Sequence, residues 1–142
     1  MIRMNREQLL AKLQSVQPGL SSTEVVDQSS CFVFLEGEVL TFNDNVSCRA
    51  GFERHKGFVG AVQAKPLLDL LAKLPEDEIE LEMSDAELLI SGIKRQAGIR
   101  MEKEILSAAA TVDRPSEWTK LPDDFGEALA MVAACAGKDK NR

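Results

Sequence analysis

Two segments of the chain, residues 6–16 and 64–75, repeat leucine at the spacing of a helix. Because residues three and four positions apart share one side of a helix, each segment predicts an amphipathic helix with one buried stripe. The stripes are formed by Leu9, Leu10, Leu13 and Val16 in the first segment and by Leu67, Leu71 and Leu74 in the second. Asn5 suits the N-cap of the first helix, and Pro75 ends the second because it has no backbone N–H to donate.

Alternation of apolar and polar residues predicts strands elsewhere. The clearest example is EIELEM at residues 78–83, where Ile79, Leu81 and Met83 lie on one face and three glutamates on the other. Further strands are predicted at residues 2–4, 31–35, 39–42, 46–52, 58–62, 87–93 and 97–103. A third helix is predicted in residues 122–136, with acids in its first turn where the helix dipole favours them.

The two helical segments also share a short identical sequence. LLAKL occurs at residues 9–13 and again at residues 70–74, 61 positions later. Leucine, alanine and lysine are common helix formers, so the identity alone can arise by chance. Each of these helices is followed by a set of strands, however, which predicts an α+β domain made of a duplicated helix-plus-antiparallel-strands unit.

Composition narrows the class of protein. The 142 residues are 44% hydrophobic and 28% charged, which is typical of a globular domain able to bury a core. No apolar run approaches the roughly 20 residues of a membrane span, and the N-terminal residues have no signal-peptide pattern. Three widely spaced cysteines suit a reducing cytoplasm. The net charge of −6 argues against a wholly basic nucleic-acid domain and still permits a basic strip.

The residue types needed for catalysis are sparse. The single histidine, His55, lies in a charged loop, so neither nucleophilic triads nor histidine metal sites have support. The acids of residues 76–82 read as a solvated strand face rather than a carboxylate pair or a metal site. Cys31 and Cys48 read as small buried hydrophobic residues. The sequence therefore predicts no catalytic residue, no metal and no cofactor.

Four segments carry a family resemblance, and they occur in the family's order. They are REQLLAKLQSV (residues 6–16), CFVFLEGEVLTFND (31–44), GAVQAKPLLDLLAKLPEDEIELEM (60–83) and ELLISGIKRQAGIRMEKE (87–104). Together they resemble the first domain of the bacterial DNA polymerase III beta subunit, the sliding clamp. On this resemblance, residues 1–120 are clamp-like domain 1, and residues 121–142 are the first helix of a second domain that is cut short.

The resemblance implies a DNA clamp (processivity) fold with the helices on one face of the sheet. In this family, two subunits of three such domains close into a ring, with the helices lining the hole around duplex DNA. The implied function is a non-enzymatic, cytoplasmic tether in DNA replication that binds DNA without sequence preference. Its implied partners are the replicative polymerase and the clamp loader, and no membrane is involved.

On that reading, candidate DNA-binding residues are Arg6 and Lys12 on the first helix and Lys65 and Lys73 on the second. The alternative is that these are ordinary solvated helix faces. The loop at residues 20–27 departs from the family, because it has no basic residue where an arginine is common. An alternative function is an acidic clamp-like adaptor that binds proteins without encircling DNA. A third is a small enzyme that uses the acidic strand.

Overall fold

The computed structural model describes residues 1–24, 26–53, 55–105 and 115–137. The chain divides into two compact units, Met1–Val112 and Asp113–Arg142. In the order of the chain, the α-helices and strands of the larger unit are β1 Ile2–Asn5, α1 Arg6–Val16, β2 Cys31–Leu35, β3 Glu38–Phe42, β4 Ser47–Gly51, β5 Gly60–Gln63, α2 Ala64–Lys73, β6 Glu78–Met83, β7 Glu87–Ser91 and β8 Gln96–Glu102. A 3₁₀ helix, Gln17–Gly19, directly follows α1. The smaller unit contains one described helix, α3 Phe125–Ala133.

The strands form one antiparallel eight-stranded sheet in the order β1-β6-β7-β8-β5-β2-β3-β4. The unit consists of two halves, β1-α1-β2-β3-β4 and β5-α2-β6-β7-β8, which repeat the same order of elements. Each half gives its first strand to the other, because β1 pairs with β6 and β5 pairs with β2. The predicted duplication is therefore present, and its two copies are interlocked.

The repeat is 58 residues long through the first strand and the helix, not the 61 residues that LLAKL predicts. Ile2 of β1 corresponds to Gly60 of β5, and Leu13 of α1 corresponds to Leu71 of α2, each 58 positions later. At this spacing buried residues match buried residues, whereas at 61 positions the buried Leu9 matches the half-buried Leu70. The identity of the two pentapeptides thus reflects helix composition, and the burial pattern defines the repeat.

Both helices pack on the same face of the sheet, as predicted. Their buried leucines join one core with the inward residues of the strands, among them Phe34, Ile79 and Ile90. Near β4 this core contains an aromatic cluster of Phe34, Phe52 and Phe58, whose ring centroids lie 5.2–5.5 Å apart. The α+β architecture with both helices on one face is confirmed.

The opposite, outer face of the sheet differs between the halves. On β2 and β3 of the first half and on the adjoining β5, it is a second buried cluster of Cys31, Val33, Leu40, Phe42 and Ala61, with Val26, Leu35 and Ile105 packed against it. Gln28 fixes the covering loop, because its side-chain amide donates to Glu102 Oε2 at 3.0 Å and to the Glu104 carbonyl at 2.7 Å. In the second half this face carries the exposed Glu78 and Glu82.

Several element boundaries differ from the predicted ones by one to three residues. Helix α2 ends at Lys73 rather than at residue 75, because Leu74 precedes a proline and adopts the extended backbone that this position favours. Strand β5 begins at Gly60, two residues late, because Gly57 makes a turn with φ 83° before it. Strand β7 ends at Ser91, since Gly92 already donates to the Arg95 carbonyl across the next turn.

In the smaller unit, taken by itself, helix α3 is shorter than the predicted 122–136. Its apolar side chains, including Phe125, Leu129 and Val132, are exposed. The division into domains at residues 120 and 121 remains a prediction. Residues 106–114 of predicted domain 1 and residues 138–142 lie outside the described part of the chain.

Candidate nucleic-acid interface

Helices α1 and α2 lie side by side and run antiparallel on the inner face of the sheet. Arg6, at the start of α1, contacts the Leu71 carbonyl near the end of α2. At the other end, Gln14 of α1 and Lys65 of α2 line the same groove. The two helices therefore form one two-helix surface, which is the surface that would meet a ligand on this side of the sheet.

The guanidinium of Arg6 is used mainly for hydrogen bonds within the protein. Its Nε donates to the Glu76 carbonyl at 3.0 Å, and its Nη1 donates to the Leu71 carbonyl at 2.9 Å. Its Nη2 lies 3.4 Å from the carboxylate of Glu7, and the side chain is only 14% exposed. Carbonyls near the end of a helix have no partner within the helix, so the guanidinium satisfies groups that would otherwise need water. Contact between Arg6 and DNA stays a prediction.

Lys12 lies on the flank of α1 that is away from α2. Its Nζ sits over the Phe52 ring, 5.8 Å from the centroid, at the edge of the aromatic cluster. A cation at this distance over an aromatic face gains a modest electrostatic attraction. Lys12 is half-buried, so it has less freedom to reach a ligand than an extended surface lysine.

Lys65 and Lys73 are the exposed cations of the two-helix surface. Together with Asp69 they occupy one stripe of α2 at four-residue spacing. Within the described residues, neither lysine lies within 4.0 Å of a carboxylate. The structure therefore brings all four predicted residues to one side of the sheet without gathering them into one cluster. Lys65 and Lys73 are the two that remain available.

Charge is distributed unevenly along the chain. Helices α1 and α2 carry four basic and two acidic residues, a net charge of +2. The whole chain carries −6, so the remainder carries −8. The predicted alternation in β6 is confirmed, since Ile79 and Leu81 are buried while Glu78 and Glu82 are exposed on the opposite face. The two helices are thus less acidic than the rest of the chain.

The side chains that could support catalysis are not grouped into a site in the described residues, and the Cys31 thiol is buried. Burial raises the pKa of the Cys31 thiol to about 11, with the charges of Glu24 and Glu102 adding to the effect. His55 lies 3.2 Å from Glu53 in an open loop. In the part of the chain that the structure describes, no three His, Cys, Asp or Glu side chains are grouped to hold a metal ion.

Sequence reasoning missed one basic groove. It lies between the end of α2 and the turn that joins β7 to β8, and it has a volume of about 470 Å³. Lys73 lines it from the helix, and Lys94 and Arg95 line it from the turn. The adjacent pair Lys94-Arg95 at a hairpin turn is the signal that could have found it.

Comparison with known proteins supports the fold. No protein-family model matches the sequence, and no curated protein matches it. Solved structures do match. The DNA polymerase III beta subunit of Thermotoga maritima aligns with 82% of this chain at a TM-score of 0.65 and 15% identity. The DnaN sliding clamp of Pseudomonas aeruginosa, bound to griselimycin, aligns with 83% at 0.60 and 19%. The beta clamp of Helicobacter pylori, bound to a DNA ligase peptide, aligns with 82% at 0.59 and 18%.

The alignment covers 33% of each of these subunits, so this chain spans about a third of their length. At sequence identities of 15–19%, the agreement concerns the path of the backbone. The resemblance inferred from the sequence is confirmed at that level, and the larger unit has the fold of a sliding-clamp domain.

Among the helices of the described residues, none has the length and apolar content that crossing a bilayer demands.

Proposed function

We propose that this chain is part of a sliding-clamp-type processivity factor, a non-enzymatic tether that holds a DNA polymerase on duplex DNA during replication in the cytoplasm. The observation that carries the proposal is the antiparallel pair of helices on one face of an eight-stranded sheet. The helices present a net positive surface although the protein as a whole is acidic. A ring built from such domains would turn this surface toward the DNA.

The modest charge of the two-helix surface suits sliding. Each phosphate contact strengthens binding and releases counterions, so a densely basic surface would hold the protein at one place on the duplex. Contacts to phosphates carry no sequence information, which a processivity factor does not need. Lys65 and Lys73 would supply such contacts, with Asp69 between them moderating the attraction. Arg6 would contribute mainly by fixing the helices relative to each other.

Ring closure and partner binding belong to the same proposal. Among the described strands, β1 and β4 lie at the two edges of the sheet. Exposed backbone donors and acceptors at such edges can pair with another chain. A homo-oligomeric ring would form through such contacts, and the polymerase and the clamp loader would bind elsewhere on the whole protein.

The test is retention on circular DNA. The protein is loaded onto a nicked circular plasmid with the clamp loader of its own cell and ATP, separated from free protein by gel filtration, and then treated with a restriction enzyme. A topological tether stays on the circle and leaves once the DNA is cut. Retention that survives linearisation would show ordinary binding, and absence from both forms would refute the tether.

A second candidate is an acidic protein-interaction adaptor with the same fold. It is favoured by the charge of −8 outside the two helices and by the commitment of Arg6 to backbone carbonyls. The plasmid experiment separates the two candidates, because an adaptor is absent from circular and linear DNA alike. Replacing Lys65 and Lys73 by alanine gives a further distinction, since only the tether should lose affinity for duplex DNA.

A further inference from the structure

The basic groove between the end of α2 and the β7–β8 turn has an apolar floor and polar walls. The floor is formed by Leu70, Leu74, Ile90 and Ala97, and the walls by Lys73, Lys94, Arg95 and Gln96. Its volume of about 470 Å³ falls within the range of about 300–1,000 Å³ that is usual for ligand pockets. The groove therefore has room for a short segment of another molecule and not for a folded domain.

The turn that forms one wall is held in place by the rest of the fold. The Gly92 N–H closes it by donating to the Arg95 carbonyl at 2.8 Å. The carboxyl group of Glu76, in the connection between α2 and β6, packs against Gly92 so closely that a Cβ there would lie 2.8 Å from Glu76 Cδ. Below the turn, Leu74 and Ile90 belong to the core shared with the helices. A groove that is already formed loses little conformational entropy when a ligand enters, which favours binding.

The cations and the apolar groups of the groove both lack a partner within the described residues. Lys73, Lys94 and Arg95 are exposed, and none of them lies within 4.0 Å of a carboxylate. Ile93, in the same turn, is 87% exposed. A negatively charged ligand would relieve the repulsion among the cations, and an apolar side chain would remove the floor and Ile93 from water. The groove thus calls for a ligand that is both acidic and apolar.

The matching turn in the first half shows that the fold does not require this combination. Residues 43–46 join β3 to β4 as residues 92–95 join β7 to β8, 49 positions later, and both turns are closed by the same backbone hydrogen bond. The charged residue of the first turn is Asp44, and Ser15 stands at the position that corresponds to Lys73. The three cations are therefore specific to the sequence of the second half.

We propose that the basic groove is a docking site for a short acidic segment of another protein, which places a large apolar side chain on the floor and carboxylates on Lys94 and Arg95. The planar guanidinium of Arg95 can donate two parallel hydrogen bonds to one carboxylate, and Lys94 acts as a point charge. A peptide is favoured over a nucleic acid because a phosphate backbone has no use for the apolar floor. A tether and an adaptor alike would use such a site to hold a partner.

The experiment selects peptides from a random displayed library on the immobilised whole protein. The enriched peptides are synthesised with a fluorescein label, and their affinity is measured by anisotropy. We expect them to combine aspartate or glutamate with leucine, isoleucine, phenylalanine or tryptophan. Failure to enrich any acidic peptide would overturn the proposal.

Two variants test the two parts of the groove separately. Lys94→Ala/Arg95→Ala removes two of its charges and should weaken binding of the selected peptides roughly tenfold. Ala97→Phe fills the floor, keeps all three cations and should weaken binding at least as much. The matched control, Arg100→Ala/Lys103→Ala, removes the same charge as the first variant and should leave the affinity unchanged. Arg100 is exposed on β8, and Lys103 pairs with Asp85.

The same proteins titrated with a labelled DNA duplex keep the two kinds of ligand apart. We expect Ala97→Phe to bind the duplex like the wild type while it loses the peptide. If Ala97→Phe keeps the peptide, or if the first variant behaves like the control, the groove is not the docking site. Neither result bears on the tether, which the plasmid experiment tests. Circular dichroism confirms folding, and the first variant changes only an exposed turn, so it decides the question if Ala97→Phe does not fold.

Discussion

The two halves of the larger unit have the same order of elements but treat the outer face of their strands differently. In the first half, Leu40 and Phe42 are buried there beneath the loop at residues 26–30 and nearby chain. The corresponding residues of the second half, Leu89 and Ser91, lie 49 positions later and are half-exposed. Strands β2 and β3 of the first half are thus buried on both faces, whereas β6 and β7 of the second half are buried only on the face under the helices.

The cause lies in the connection between helix and sheet. Residues 17–30 join α1 to β2, whereas only residues 74–77 join α2 to β6. The longer connection supplies the cover for the first half, and the sequences of the strands follow. CFVFL in β2 is apolar throughout, as expected of a strand buried on both faces, while EIELEM in β6 alternates. One duplicated topology therefore supports two kinds of strand sequence.

The largest expected effect tests this difference directly. Leu40→Ala should lower the free energy of unfolding by about 2–5 kcal/mol, because it leaves a cavity in a fully buried site. Leu89→Ala, at the corresponding outer position, should cost about 1 kcal/mol or less, since the side chain is already partly in water. Urea unfolding of both variants measures the gap. Equal losses would mean that the outer face of the second half is also covered in solution.

A smaller effect concerns the backbone carbonyls at the ends of the helices, which accept hydrogen bonds from different side chains in the two halves. The end of α1 is held by Thr41, whose hydroxyl donates to the Val16 carbonyl, and the end of α2 is held by Arg6. Arg6→Ala should cost about 2–3 kcal/mol, because it removes charged hydrogen bonds and leaves carbonyls unpaired. Lys12→Ala on the same helix should cost at most about 1 kcal/mol.

Thermal and urea unfolding report both of these losses. The same two variants, measured for duplex binding under conditions where they are folded, separate a structural arginine from a DNA-binding one. An Arg6 variant that unfolds like the wild type but binds DNA more weakly would reverse the assignment made from its hydrogen bonds.

The smallest effect concerns the starts of the helices. Asn5 caps α1 by accepting from the backbone N–H groups of Glu7 and Gln8, at 3.0 and 3.1 Å. Gln63, the corresponding residue of the second half, makes no such bond. Asn5→Ala should therefore destabilise the protein by about 1 kcal/mol, and Gln63→Ala should be nearly neutral.

Gln63→Asn sharpens the same point. Pro66 has no N–H, so a new cap could bond only to Lys65, and the expected gain is about 0.5 kcal/mol. Differential scanning calorimetry of the three variants resolves changes of this size as shifts in Tm. A gain as large as the loss at Asn5 would show that the missing donor is unimportant.

Local pattern predicted most of the elements, because helix stripes and strand alternation are recorded in neighbouring residues. The stripe of Leu67 and Leu71 and the alternation of Ile79 and Leu81 appear in the structure as predicted. The exchange of first strands between the halves could not be predicted from local pattern, because the pairing of β1 with β6 depends on residues far apart in the chain. The predicted repeat length of 61 residues was wrong for a related reason. The identity of the two LLAKL segments reflects helix propensity and not the pattern of burial.

The candidate site was less predictable than the fold. Arg6 has the sequence context of a surface arginine, and only the antiparallel packing of α1 on α2 brings the Leu71 carbonyl within its reach. The basic groove likewise forms only when the β7–β8 turn meets the end of α2. Charge type can be read from a sequence, but the decision between a structural and a ligand-binding cation depends on tertiary neighbours.

The exchanged first strands have a consequence for biosynthesis. Ile2 pairs with Leu81, 79 positions later, so β1 must leave the ribosome and wait until β6, midway through the second half, has emerged. Neither half can complete its sheet alone, because each lacks the strand that the other provides. The growing chain therefore exposes an unpaired edge through much of its translation, a period in which a chaperone would have the most to protect.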